Sequence, residues 1–169
     1  RMVTNQMVLT IGYDTESLSR PEIARKYEGE IKSDHYGRKV PKHAHGTANL
    51  DSYTSSTRLI TEAVMDLFDR IINPDLLVRR VNITAARLIS EDEVKSEPSF
   101  EQLDLFTDFA AVQEQREQEK AALERERRMQ EAMLKIKGKF GKNAIVKGMN
   151  LQEGATTMER NRQIGGHKA

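Results

Sequence analysis

The sequence predicts an α+β chain: an antiparallel sheet with a helix on one face, then a long charged helix and a basic tail. Three observations predict it. Short runs of alternating apolar residues recur before residue 90, and one run of helical period lies among them. From about residue 108, helix-forming residues continue for some thirty positions with few apolar side chains.

The first predicted strand is Met7–Tyr13, with Met7, Leu9, Ile11 and Tyr13 on one face and Thr10 and Gly12 on the other. A polar stretch follows, in which Ser19-Arg20-Pro21 signals a turn or loop. Residues 28–32 then lead into Asp34-His35-Tyr36-Gly37, a reversal, and the chain runs out again through Arg38-Lys39-Val40-Pro41. From Lys42 to Leu50, Ala44, Gly46, Ala48 and Leu50 share one face, and His43, His45, Thr47 and Asn49 the other. Small residues on the inner face let a helix lie close, and the polar face is left open.

Ser55-Ser56-Thr57 offers N-caps for a helix from about Thr57 to Ile72. Its stripe is Leu59, Ile60, Ala63, Val64, Leu67, Phe68, Ile71 and Ile72, and Asn73-Pro74 ends it. A last strand spans Val78 to Leu88. Val81, Ile83 and Ala85 point inward and Arg80, Asn82 and Thr84 outward; Arg79 has inward parity but sits near the start, within reach of the edge.

Residues 91–101 are acidic, contain Pro98 and show no period, so they read as a flexible linker. The helix expected from about Asp108 to Lys139 has favourable pairs in Glu124–Arg128 and Glu131–Lys135. Its convincing stripe is Met129, Met133, Ile136 and Phe140, after a stretch at 113–120 with no apolar side chain. Gly138, Gly141 and Gly148 are expected to interrupt it. The basic tail is expected to be part helical around Thr156–Arg162.

Composition supports this division. Hydrophobic residues are 37%, aromatics 5% and charged residues 31%, with a mean hydropathy of −0.66, so part of the chain stays outside any core. The net charge of +1 conceals three blocks. Residues 1–90 hold 13 Lys/Arg against 11 Asp/Glu, 91–134 hold 6 against 13, and 135–169 hold 8 against 2. There is no cysteine, which excludes disulfides and thiolate metal sites and suits a reducing cytosol. No apolar run is long enough for a bilayer, and the N-terminus lacks the layout of a signal peptide. Its start at Arg1, just ahead of a strand, reads as a cut through a longer protein. A nucleophile–base pair, a Gly-rich phosphate loop and a carboxylate cluster are all wanting, so an enzyme in its own right is disfavoured.

The stretch KHAHGTANLDSYTSSTRLITEAVMDLFDRI, then LLVRRVNITAARLI, followed by EQLDLF, resembles the little-finger domain of Y-family DNA polymerases. It looks closest to the bacterial UmuC/ImpB/MucB/SamB group, whose C-terminal extension the ending GKNAIVKGMNLQEGATTMERNRQIGGHKA also resembles. The resemblance implies an incomplete little-finger-type sheet over residues 1–90, an acidic linker with a clamp-binding motif at 91–106, a helix at 107–140 and a tail at 141–169. A further strand and helix are expected ahead of Met7, and their lack should expose apolar surface. The polymerase palm with its Mg2+ is expected upstream, so no catalytic residue, cofactor or metal is assigned to this chain. The implied parent is a DNA-directed DNA polymerase of translesion synthesis and DNA repair, in the bacterial cytoplasm at the nucleoid.

The partners implied are DNA, held without regard to sequence, and the bacterial sliding clamp. The family's little finger sets basic residues against template phosphates where Arg79 and Arg80 stand. Arg38, Lys39, Lys42, His43, His45, Thr47 and Ser55 extend the candidate DNA surface, although a solvated basic edge would have the same composition. Backbone N–H groups at the start of the Thr57 helix could meet a phosphate. Gln102-Leu103-Asp104-Leu105-Phe106 resembles the clamp-binding peptide, in which Gln enters a polar pocket and Leu and Phe fill an apolar cleft. Burying two such side chains contributes roughly 3–6 kcal/mol before ordering costs. The bland alternative is that Leu105 and Phe106 start the following helix and pack on the domain. His43-Ala44-His45 puts two imidazoles on one strand face, which His35 could approach as in a zinc site, but no cysteine and no well-placed third ligand support that. The Met129–Phe140 stripe could meet an accessory subunit or fold back on the tail. A non-enzymatic scaffold that oligomerises through the charged helix is the alternative reading.

Overall fold

The computed structural model describes residues 1–94, 109–164 and 167–168, and divides the chain into two compact units, residues 1–101 and 102–169. The clamp-like motif, Gln102–Phe106, lies outside the described residues.

The first unit is built on β1, Met2–Tyr13, which pairs antiparallel with β4 (Ala44–Thr54) on one side and β5 (Val78–Ala86) on the other. The alternation of Met7, Leu9, Ile11 and Tyr13 puts all four in the core, and Leu9 and Ile11 are fully buried. The strand begins at Met2 rather than Met7. Thr4, Asn5 and Gln6 break the apolar alternation, and the register with β4 slips between Thr4 and Gln6. The buried Thr4 hydroxyl meets the Ala86 carbonyl and accepts from the Gln6 amide, so the sheet uses this polar residue.

The polar stretch around Ser19-Arg20-Pro21, expected as turn or loop, contains two helical turns: α1, Glu16–Ser19, and α2, Pro21–Ala24. Pro21 opens α2, where its missing N–H has no intrahelical partner to lose. Ser17 is fully buried and its hydroxyl accepts from the Leu77 amide at 3.0 Å, tying the turn to the approach of β5. The expected reversal is a hairpin of β2 (Ile31–Ser33) and β3 (Lys39–Pro41), with Gly37 at φ +77° in its turn.

Helix α3, Thr57–Ile71, is capped by Ser56, whose hydroxyl accepts from the Leu59 amide at 3.2 Å. It lies over β4 and β1. Gly46 permits this: a Cβ there would stand 2.8 Å from Leu67 Cδ1 and 3.2 Å from Ile71 Cγ2. The small inner-face residues therefore bring the helix in, as the alternation predicted. Ile72 turns extended, and the Asn73 amide donates to the Tyr13 hydroxyl at 2.8 Å.

The last strand is shorter than expected. β5 ends at Ala86, Arg87 adopts a positive φ of 51°, and β6 (Ile89–Ser90) pairs with β1 at Met2 and Val3. Register places Val81 and Ile83 beside Ile11 and Leu9, on the helix-bearing face, yet they are 47% and 55% exposed. Apolar side chains thus stay exposed on this face. Residues 91–94, assigned to linker, form a helical turn, α4 (Glu91–Val94), with three acidic residues where the helix dipole favours them.

In the second unit, α5 runs from Phe109 to Phe140, as the composition predicted. Arg128 donates to Glu124 at 3.2 Å as expected, whereas Glu131 engages Arg127 one turn before it instead of Lys135. Gly138 does not interrupt the helix. It faces open space among strong helix formers, and the helix ends before Gly141 (φ +94°), whose amide donates to the Lys137 carbonyl at 2.9 Å. Beyond it, Asn143 bonds the Met158 carbonyl and the Asn161 side chain, gathering a 3-10 turn (Gly148–Leu151) and α6 (Thr157–Arg160). A two-residue ladder of β7 (Gln163–Ile164) and β8 (His167–Lys168) follows.

Candidate nucleic-acid interface

The open side of the sheet is a row of short polar side chains. Thr10 Oγ1 meets His45 Nδ1 at 2.9 Å, and Thr10 lies opposite Asn82 on β5. The next rows join Thr47, Val8 and Thr84, then Asn49 and Gln6, whose side-chain amides bond at 2.9 Å. No carboxylate stands in these rows, so the face presents donors and acceptors without repelling phosphate.

At one end of this face a cavity of about 460 Å3 opens between the β2–β3 hairpin and the ends of β1 and β5. Lys32, Asp34, His35, Tyr36, Arg38 and His43 line one wall, and Gly12, Tyr13, Arg79 and Arg80 the other. Arg79 reaches it through an irregularity. Gly12 pairs with Arg80 and Tyr13 with Val78, so Arg79 is the extra residue and escapes the inward parity of the strand. Its guanidinium then meets Asp14 at 3.2 Å.

Three carboxylates organise these cations. Arg38 bonds Asp34 at 2.6 Å, Lys42 bonds Glu30 at 2.8 Å, and Arg79 bonds Asp14. The Arg38 guanidinium holds the Asp34 carboxyl below its usual value, and the Lys42 ammonium does the same for Glu30. For Asp14 the main cause is the Glu16 amide, with Thr15 and Arg79 adding to it. All three folded values are depressed, so the stability each lends is present above its ordinary value and lost as pH falls through the folded one. The pairing therefore holds across the neutral range. These pairs are exposed and hold the cations in place more than they stabilise the fold. Among the described residues, Lys39 and Arg80 have no carboxylate partner.

Of the residues expected to bind DNA, the cavity gathers Arg38, His43, Arg79 and Arg80; Lys39 and Lys42 flank it on the hairpin, and His45 and Thr47 follow along the open face. Ser55 stands apart. It follows the far end of β4, roughly 30 Å of strand from His45 at about 3.3 Å per residue. The neighbouring Ser56 hydroxyl satisfies one amide of the α3 start. No group of three His, Asp or Glu among the described residues is placed to hold a metal ion.

The model of the impB/mucB/samB family C-terminal domain matches residues 2–105. The chain belongs to this family. Its matched part is thus a C-terminal region of the Y-family DNA polymerase kind, and it covers the sheet, the hairpin and the cavity. Neither the curated proteins nor the solved structures include a match to the chain. No described helix is long and apolar enough to cross a membrane.

Sequence reasoning named Tyr36 and His35 in the reversal but left them, with Lys32, out of the candidate DNA surface. Tyr36 had a readable signal: an aromatic residue inside a polar reversal has no core to serve. Lys32 and His35 carried none, because a short edge hairpin places them only once its docking is known.

Proposed function

We propose that this chain grips primer–template DNA through the hairpin cavity and the open sheet face, and binds a sliding clamp through Gln102–Phe106. It thereby serves a Y-family polymerase in translesion synthesis. The observation that carries the reading is the convergence of Arg38, His43, Arg79 and Arg80 on one cavity beside sheet rows, from Gln6 to Thr10, that hold no carboxylate. Such a surface holds phosphates and reads no base edges, which is what holding damaged template requires. The chain contributes grip and recruitment, and catalysis is assigned to the polymerase palm.

Anisotropy titration of a labelled primer–template duplex between 50 and 200 mM salt tests the grip. Affinity should fall steeply with salt. Replacing Arg79 and Arg80 with Ala should weaken binding and lower the salt slope by about two, one for each phosphate contact. Binding that ignores both salt and these substitutions overturns the reading. Micromolar binding to a bacterial sliding clamp that disappears on Leu105→Ala with Phe106→Ala supports the recruitment half, and equal binding by both forms removes it.

Exposed Met129, Leu134, Ile136 and Phe140 favour a second role for α5, as the contact for an accessory subunit. Concentration-dependent self-association lost on Phe140→Ala would instead point to a scaffold.

A further inference from the structure

We propose that Tyr36 is a stacking platform for an unpaired nucleobase, so that the cavity beside it also holds the single-stranded template next to the duplex that it and the open face grip. The proposal rests on the DNA-binding reading above and goes further in naming the strand state and the residue that selects it.

Tyr36 is 79% exposed at the tip of the β2–β3 hairpin, the most exposed large hydrophobic side chain among the described residues. Folding gains little from an aromatic ring left in water, yet the turn is built to hold it there. The Asp34 carboxylate accepts from the amides of Tyr36 and Arg38, each at 2.9 Å, and from Arg38 Nε at 2.8 Å. The Asp34 amide donates to the Arg38 carbonyl at 2.9 Å, the Gly37 amide donates to the Asp34 carbonyl, and Gly37 takes the positive φ that the reversal needs. The tip is therefore fixed before any ligand arrives, which reduces the ordering cost of binding.

The ring is also oriented. The Arg38 guanidinium lies 5.2 Å from its centroid in a cation–π contact, and the His35 ring meets it edge-on at 5.4 Å. With 79% of the residue exposed, ring surface remains open for a flat partner. Every nucleobase offers a π-face, so such a contact tolerates any sequence. Paired bases in a duplex keep their faces stacked on one another and offer none. The ring lines the same cavity as Lys32, His43, Arg79 and Arg80, which places phosphate partners beside the stacked base. At about 460 Å3 the cavity falls in the range that holds nucleotide-sized ligands, about 300–1,000 Å3.

The test compares dT16 with a 16-bp blunt duplex in anisotropy titrations at 50 mM salt, using the full chain and its Tyr36→Ala and Tyr36→Phe variants. Tyr36→Ala should weaken dT16 binding by about 5- to 150-fold and duplex binding by much less. Tyr36→Phe, which keeps the ring, should retain dT16 binding. The chain has no tryptophan, so Tyr36→Trp supplies a single reporter whose fluorescence dT16 should quench and the duplex should not. Equal dT16 binding by the parent and Tyr36→Ala overturns the proposal, as does an equal loss for both DNAs. A parent that binds duplex but not dT16 overturns this inference alone. A parent that binds neither overturns the DNA-binding reading with it.

Discussion

Two helices of this chain carry apolar residues at helical spacing, and only one of them buries its stripe. In α3, Leu67 is 2% and Val64 8% exposed, whereas in α5 Met129 is 56% and Phe140 68% exposed. The difference lies in what each helix was given to pack against. α3 has eight apolar residues among its fifteen and faces a strand whose inner positions are Ala44, Gly46 and Ala48. α5 carries solvated pairs such as Glu124–Arg128 and Arg127–Glu131, and its apolar stripe from Met129 to Phe140 lies near its end. A helical period thus marks a face that can be buried, and only a complementary small-residue surface shows that it is. The first unit carries a core that substitutions should disrupt, and the second a surface that they should leave almost untouched.

The largest test of that contrast is Leu67→Ala beside Met129→Ala. Leu67 sits in the core between α3 and the sheet, so its truncation should cost about 2–5 kcal/mol in urea unfolding of the first unit. Met129→Ala should stay within about 0.5 kcal/mol, the range of ordinary surface changes. A comparable loss for both would mean that α5 has a buried partner. Next in size is Gly46→Val, which forces side chain into the 2.8 Å gap before Leu67 Cδ1 and should cost about 1–3 kcal/mol in the same measurement. An unchanged midpoint would mean that α3 can back away from β4 and that the close approach is incidental. Below these stands Ser56→Ala, which leaves the Leu59 amide without its cap and should lower stability by about 1 kcal/mol. Ser56→Asp should restore it.

The same contrast explains what the sequence could and could not reveal. The strand and α3 positions follow from periodicity, because their periods match the surfaces they meet, whereas the hairpin follows from its turn residues and α5 from its composition. Arg79 reads as within reach of the edge despite its inward parity, but the one-residue slip against Gly12 and Tyr13 that frees it is set by pairing and leaves no mark in the alternation. Met2–Gln6 were missed because Thr4 satisfies its hydroxyl inside the sheet, and propensity reads a polar residue as exposed. Gly138 was read as a break although strong helix formers on both sides carry the helix through it. At the site, the basic and polar residues were legible one by one. Their grouping was not, since only the docked hairpin brings Arg38 and His43 to Arg79 and Arg80 and leaves Ser55 at the other end of β4.

The smallest effect sharpens the comparison most on the side of α5. Glu124→Gln removes the charge that accepts from Arg128 at 3.2 Å, in a pair whose side chains are 51% and 78% exposed. Such an exposed i,i+4 pair contributes about 0.3–0.5 kcal/mol. The variant should therefore show a slightly lower helical far-UV signal at low salt, and the difference should close as salt screens the pair. The first unit's unfolding midpoint should not move. If α5 is held by solvated pairs alone, removing several in turn should melt it gradually, one increment at a time. A sudden cooperative loss would mean that packing on another surface holds it, and would put Met129, Leu134 and Phe140 at that contact.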